Sequence, residues 1–75
     1  MDWRERITFD PGKRFGKPCI RGLRITVEDV LSYLAAGETE DTILAEWTDL
    51  ERDDFRAVYA YAADSERHTR LLAAE

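Results

Sequence analysis

The shortage of cysteine removes the most common way a very short chain is held together. Cys19 is the only one, so no disulfide framework exists and a reducing, cytoplasmic setting is expected. His68 is the only histidine. One Cys and one His make neither a nucleophilic dyad nor a zinc site, so Cys19 reads as a packing residue and His68 as a solvated one. With two prolines and four glycines, the chain has no internal repeat and no low-complexity segment. No apolar run approaches the ~18 residues of a membrane-spanning helix. The opening Met-Asp-Trp-Arg-Glu-Arg has no apolar segment of the kind a secretory leader needs, so none is expected. Walker and dinucleotide glycine patterns are absent. No carboxylate is set beside a His, Ser or Lys for acid–base work. These absences favour a non-enzymatic binding protein without metal or cofactor.

What is present is charge, unevenly placed. The chain has 75 residues, 44% hydrophobic and 36% charged, with a net charge of -5. Residues 1–24 carry seven Lys/Arg and three Asp/Glu, for +4; residues 25–75 carry four and thirteen, for -9. An acidic whole argues against indiscriminate nucleic-acid binding, while a basic arm suits phosphates or an acidic protein surface. A single domain over 1–75 is expected, with the arm at 1–25, a helical body at 26–63 and a C-terminal extension at 64–75. So short a chain has a limited core and gains from self-association.

Local signals outline the elements. Ile7-Thr8-Phe9 is β-prone and is stopped by Asp10-Pro11-Gly12. Residues 13–18 read as loop. Residues 19–25 read as one or two short strands with a bend at Gly22. Thr26 is an N-cap followed by Glu28 and Asp29 in a first turn, and Val27, Val30, Leu31 and Leu34 recur at helical spacing up to Gly37. Thr39 caps a second helix with Ile43, Leu44 and Trp47 on its apolar face. A third helix starts near residue 51 or 52, with Phe55, Val58, Tyr59 and Ala62 on its buried side; Asp64-Ser65 either interrupts it or lies within it. Tyr33, Trp47, Phe55 and Tyr59 read as core aromatics. Tyr61 falls off that face, toward a subunit interface. Three short helices behind a short β element make a mainly α fold, and the second and third fit a helix-turn-helix.

The strings Ile7–Pro11, Gly16-Lys17-Pro18-Cys19-Ile20-Arg21-Gly22-Leu23-Arg24-Ile25-Thr26-Val27, Leu34–Gly37 and Tyr59–Ala63 resemble the DUF433 family of small prokaryotic proteins. The resemblance spans about residues 6–63. It implies a three-helix homeodomain-like helix-turn-helix bundle with a short N-terminal β element. It also implies an antitoxin-like role in a type II toxin–antitoxin pair, with a PIN-like ribonuclease toxin as partner and DNA as a second target. Leu23 stands where the family usually has Thr, and Glu51 where a Thr would cap the third helix.

Candidate contact residues follow from charge and position. Lys13, Arg14, Lys17, Arg21 and Arg24 lie on the arm, where Lys and Arg can reach phosphates; Arg21 or Arg24 could equally fork onto carboxylates of a toxin. Replacing Arg21 and Arg24 together with Ala is expected to weaken binding without unfolding the domain. Arg52 and Arg56, one helical turn apart, are the base-reading candidates of the third helix, although Glu51, Asp53 and Asp54 around them suit a helix dipole better than a phosphate backbone. Leu71 and Leu72 read either as a partner-binding tail or as a frayed end. The alternatives to an antitoxin are a stand-alone transcriptional regulator and a non-catalytic oligomeric module.

Overall fold

Two β-strands and three α-helices make up the described part of the chain. The computed structural model describes residues 2–73, with side chains through residue 68. The order is β1 (Ile7–Phe9), β2 (Pro18–Ile20), α1 (Val27–Ala35), α2 (Glu40–Glu46) and α3 (Arg52–Ala73), with short 3-10 turns at Trp3–Glu5 and Arg14–Gly16. The strands pair antiparallel, Ile7 opposite Ile20, Thr8 opposite Cys19 and Phe9 opposite Pro18. The chain forms a mainly helical domain with a small N-terminal sheet.

Turn chemistry sets the arm. The Asp10 carboxylate accepts the Gly12 N–H at 2.9 Å, so Asp10-Pro11-Gly12 reverses the chain after β1 as its composition predicts. After β2 the chain reverses again at Arg21 and Gly22, at φ 45° and 72°. The Leu23 N–H donates to the Ile20 carbonyl at 2.8 Å, which closes a primed hairpin turn. Strand character therefore ends at Ile20 rather than running to residue 25. The chain then returns beside β2, where the Ile25 carbonyl accepts the Ile20 N–H at 2.9 Å and Thr26 is an isolated bridge partner of Cys19.

The helices end where local capping says they should. The Thr26 hydroxyl accepts the Asp29 N–H at 2.9 Å and the Asp29 carboxylate accepts the Thr26 N–H at 3.0 Å, a reciprocal capping box. At the far end of α1 the Glu38 N–H reaches the Tyr33 carbonyl and the Gly37 N–H reaches that of Leu34. That paired closure needs a left-handed residue, which Gly37 supplies at φ 98°. Thr39 and Thr42 form the second capping box. α3 runs unbroken through Asp64 and Ser65.

The core joins all the elements. Ile7 and Ile20 from the sheet, Val27 and Val30 from α1, Ile43 from α2, Leu50, and Phe55 and Val58 from α3 are buried together. Tyr33 and Trp47 pack against this core and against each other, with ring centroids 4.7 Å apart. Two aromatic expectations change places. Tyr59 is 42% exposed, and its position on the buried face is taken by Ala57. Tyr61 is half-buried and packs on Trp3, at 4.9 Å between centroids, and on Phe9. The Trp3 indole N–H also donates to Asp64 at 2.6 Å. A segment outside the recognisable strings thus ties the N-terminus to α3, while Phe55 and Val58 keep the buried positions that their spacing predicts. The expectation for Leu71 and Leu72 concerns side chains outside those described.

Candidate functional site

The arm is held to the body by a buried charge knot. Asp54, on the first turn of α3, is 1% exposed. Arg21 forks onto it, with Nε at 3.0 Å and Nη2 at 2.9 Å, and also donates to the Asp49 carbonyl at 2.6 Å. Arg6 donates to the same carboxylate at 3.0 Å and to Glu51 at 2.8 Å. The Glu51 N–H completes the set at 2.8 Å. Burial pushes the Asp54 carboxyl up, but Arg21, the Glu51 N–H and Arg6 outweigh it and hold it below the usual carboxylate range. Arg21 therefore anchors the fold, and its left-handed backbone is held in place by this fork. Removing it alters the structure as well as the surface, so the double replacement with Arg24 is not the clean surface test that the sequence suggests.

Three more arm cations bond within the chain. Arg14 donates to the Asp29 carboxylate at 2.8 Å and to the Arg24 carbonyl at 2.7 Å. Burial raises the Asp29 carboxyl, but Arg14 and the Thr26 N–H lower it by more. Lys17 donates to Glu28 at 2.7 Å, and Lys13 donates to the Gly22 carbonyl. These contacts lay residues 13–17 over the start of α1. On the outer side of this braced loop stands Phe15, 96% exposed. Its φ is 61°, between Arg14 at 48° and Gly16 at 78°. A left-handed bulky residue is an outlier that costs about 1–2 kcal/mol, so the surrounding contacts must hold it there. Sequence reading passed over Phe15. Its residue type in a basic loop was the one available signal, and its backbone conformation is set by contacts distant in sequence.

The face shared by α2 and α3 is likewise paired. Arg52 donates to Glu40 at 3.1 Å and to Asp41. The Tyr59 hydroxyl donates to Glu40 at 2.6 Å. Partial burial and that bond push its phenol up to about 12. Arg24 and Arg56 are exposed and form no ion pair among the described residues. Of the seven sequence candidates, five are thus committed within the chain, and the structure does not bring Arg24 and Arg56 together on one element. Cys19 is buried beside β1, as a packing residue would be.

Next to the braced loop runs an apolar surface groove of about 410 Å³, lined by Pro18, Val27, Leu31, Ala35 and Tyr61, with Glu28 and Ser32 at its rim. Among the described residues, no cluster of three or more His, Cys, Asp or Glu is placed to hold a metal ion. No helix among them is long and apolar enough to cross a membrane.

Residues 7–62 match a family described as a protein of unknown function (DUF433). A curated relative, the uncharacterised protein y4eO of Sinorhizobium fredii, is 36% identical over 59 residues, which cover 79% of this chain and 27% of that protein. The chain thus spans about a quarter of that relative's length. No solved structure matches. With most of its length matched, the chain belongs to the DUF433 family.

Proposed function

We propose that this DUF433 member is an antitoxin-like, non-enzymatic protein that binds and silences a PIN-like ribonuclease toxin in the cytoplasm. The observation that carries the reading is the closure of the basic arm. Lys13, Arg14, Lys17 and Arg21 donate to groups of their own chain, and beside the exposed Arg24 the arm turns an aromatic ring outward. A surface that tracks a phosphate backbone needs free cations along it. An exposed aromatic held on a rigid loop is instead the kind of anchor that protein interfaces use. The α2–α3 pair is read as a homeodomain-like helix-turn-helix serving as scaffold: Arg52 is drawn onto Glu40 and Asp41, which leaves Arg56 among acids at the start of the third helix. Autoregulatory DNA binding is secondary in this reading.

The reading predicts a gene for a small PIN-like ribonuclease beside this one, and the test is co-expression with that protein. Rescue of growth, together with a stoichiometric complex on purification, is the expected outcome. Continued toxicity with this protein in excess overturns the proposal. Selective binding of its own promoter by the chain alone, with no toxin complex, would replace it with the stand-alone regulator.

A further inference from the structure

We infer that residues 10–17, the link between β1 and β2, form a strained strap that opens locally while the rest of the domain stays folded, and that the Arg14–Asp29 pair is its catch. Closed, the strap fixes Phe15 outward; open, it gives up that presentation. This goes beyond the function proposed above and depends on no partner. The ends of the strap are anchored, because Phe9 pairs with Pro18 across the sheet. Between them nothing is buried: no residue from Asp10 to Lys17 lies in the core. Opening therefore takes no apolar core into water, which is the main cost of unfolding any larger unit.

Side chains hold the strap to the body. Arg14 donates to the Asp29 carboxylate at 2.8 Å and to the Arg24 carbonyl at 2.7 Å, and the Arg14 and Asp29 side chains are 35% and 30% exposed. Lys17 and Glu28 are more exposed, at 47% and 66%, and an ion pair so open to water holds weakly. Lys13 adds a bond to the Gly22 carbonyl. Backbone strain acts the other way. Arg14 and Phe15 follow one another at φ 48° and 61°, where a Cβ crowds the following carbonyl oxygen. Phe15 is 96% exposed, so its ring gains no packing in exchange. Strain at two residues, with none buried, opposes one partly exposed pair and two weaker contacts. The open state therefore lies close above the closed one, at roughly 1–10% of molecules. Asp29 keeps its place when Arg14 leaves, since its bond to the Thr26 N–H fixes it in the capping box of α1. The catch is also a handle: an anion that draws Arg14 off Asp29 favours the open strap.

The experiment is native-state hydrogen exchange on the free chain, read by NMR over a series of low urea concentrations and set against intrinsic rates. Inside the strap the Lys13, Gly16 and Lys17 N–H groups donate to the Asp10, Lys13 and Arg14 carbonyls. They should exchange about a hundredfold or more faster than the Ile20 N–H, and without response to urea, because so small an opening exposes little surface. Two variants should move that exchange in opposite directions. Arg14→Gln removes the charged catch and should speed it about tenfold. Phe15→Asn keeps the charge and loses no packing, and Asn tolerates a left-handed backbone, so it should slow exchange about fivefold. Because Phe15 is exposed, this variant keeps the test decisive even if Arg14→Gln does not fold. Strap amides as protected as Ile20, or as sensitive to urea, overturn the inference. So does exchange no faster in folded Arg14→Gln, or no slower in Phe15→Asn, since a merely loose loop would feel neither the catch nor the strain.

Discussion

At the scale of single residues, Asp54 decides the most. It accepts from Arg21, Arg6 and the Glu51 N–H, and it links both ends of the hairpin to α3. Asp54→Ala leaves two arginines and a backbone donor without their acceptor. Breaking a buried pair costs about 3–5 kcal/mol, and the arginine side chains, 24% and 30% exposed, recover part of that through water. A loss of about 2–4 kcal/mol is expected in urea denaturation, a large share of the ~5–15 kcal/mol that natural domains have. A loss under about 0.5 kcal/mol would show the knot to be ornamental. The same residue sets the acid limb of stability. Its folded pKa lies below the unfolded value, so its contribution is complete above about pH 4 and disappears as pH falls through the folded value; Asp29 acts in the same direction. Melting temperature should therefore hold from neutrality to about pH 4–5 and then drop, and the drop should shrink in Asp54→Asn. None of this was legible in the chain. An acid in the first turn of a helix is already explained by the dipole, so the sequence offers no reason to bury it. Only the fold brings Arg6 and Arg21 to it.

At the scale of elements, much more was legible, because caps are local. Thr26, Gly37 and Thr39 marked the ends of α1 and the start of α2 before any tertiary contact was known, and the structure places them there. Helical spacing also put Phe55 and Val58 on the inward face of α3; what local chemistry could not supply was that Tyr59 turns outward while Tyr61 packs on Trp3, a contact between residues far apart in sequence. The two threonine caps should differ in cost. Thr26 is fully buried and its partner Asp29 also holds Arg14, whereas Thr39 lies in solvent. Thr26→Ala should cost about 1–2 kcal/mol, and Thr39→Ala about 0.5–1 kcal/mol. Equal losses in chemical denaturation would mean that the wider network around Thr26 adds nothing. Gly37 gives a separate reading of backbone strain. A Cβ there meets no atom within 4 Å, so the cost of Gly37→Ala, about 1 kcal/mol, comes from φ alone.

At the scale of the whole molecule, the uneven charge of the sequence is an internal matter. The basic first 24 residues and the acidic remainder are joined by five ion pairs: Arg6 with Glu51 and with Asp54, Arg14 with Asp29, Lys17 with Glu28, and Arg21 with Asp54. A segment that reads as a phosphate-seeking arm is largely neutralised by its own body, because pairing across the chain requires only that the fold lay the loop over α1. This gives a quantitative expectation for DNA. Each phosphate contact contributes about 0.9 to the slope of log affinity against log salt. Seven free cations would give a slope near -6, whereas Arg24 and Arg56 alone give about -2 at most. Fluorescence anisotropy with a labelled duplex between about 50 and 200 mM salt separates the two. A shallow slope is expected for the wild-type chain. Glu28→Gln releases Lys17 without touching the core, since Glu28 is exposed and among the described residues its ion pair is with that lysine. It should steepen the slope by about one. If the wild-type slope is already near -6, the pairs open on contact with DNA, the arm is a phosphate clamp held shut by its own helix, and the partner-protein reading gives way to the regulator.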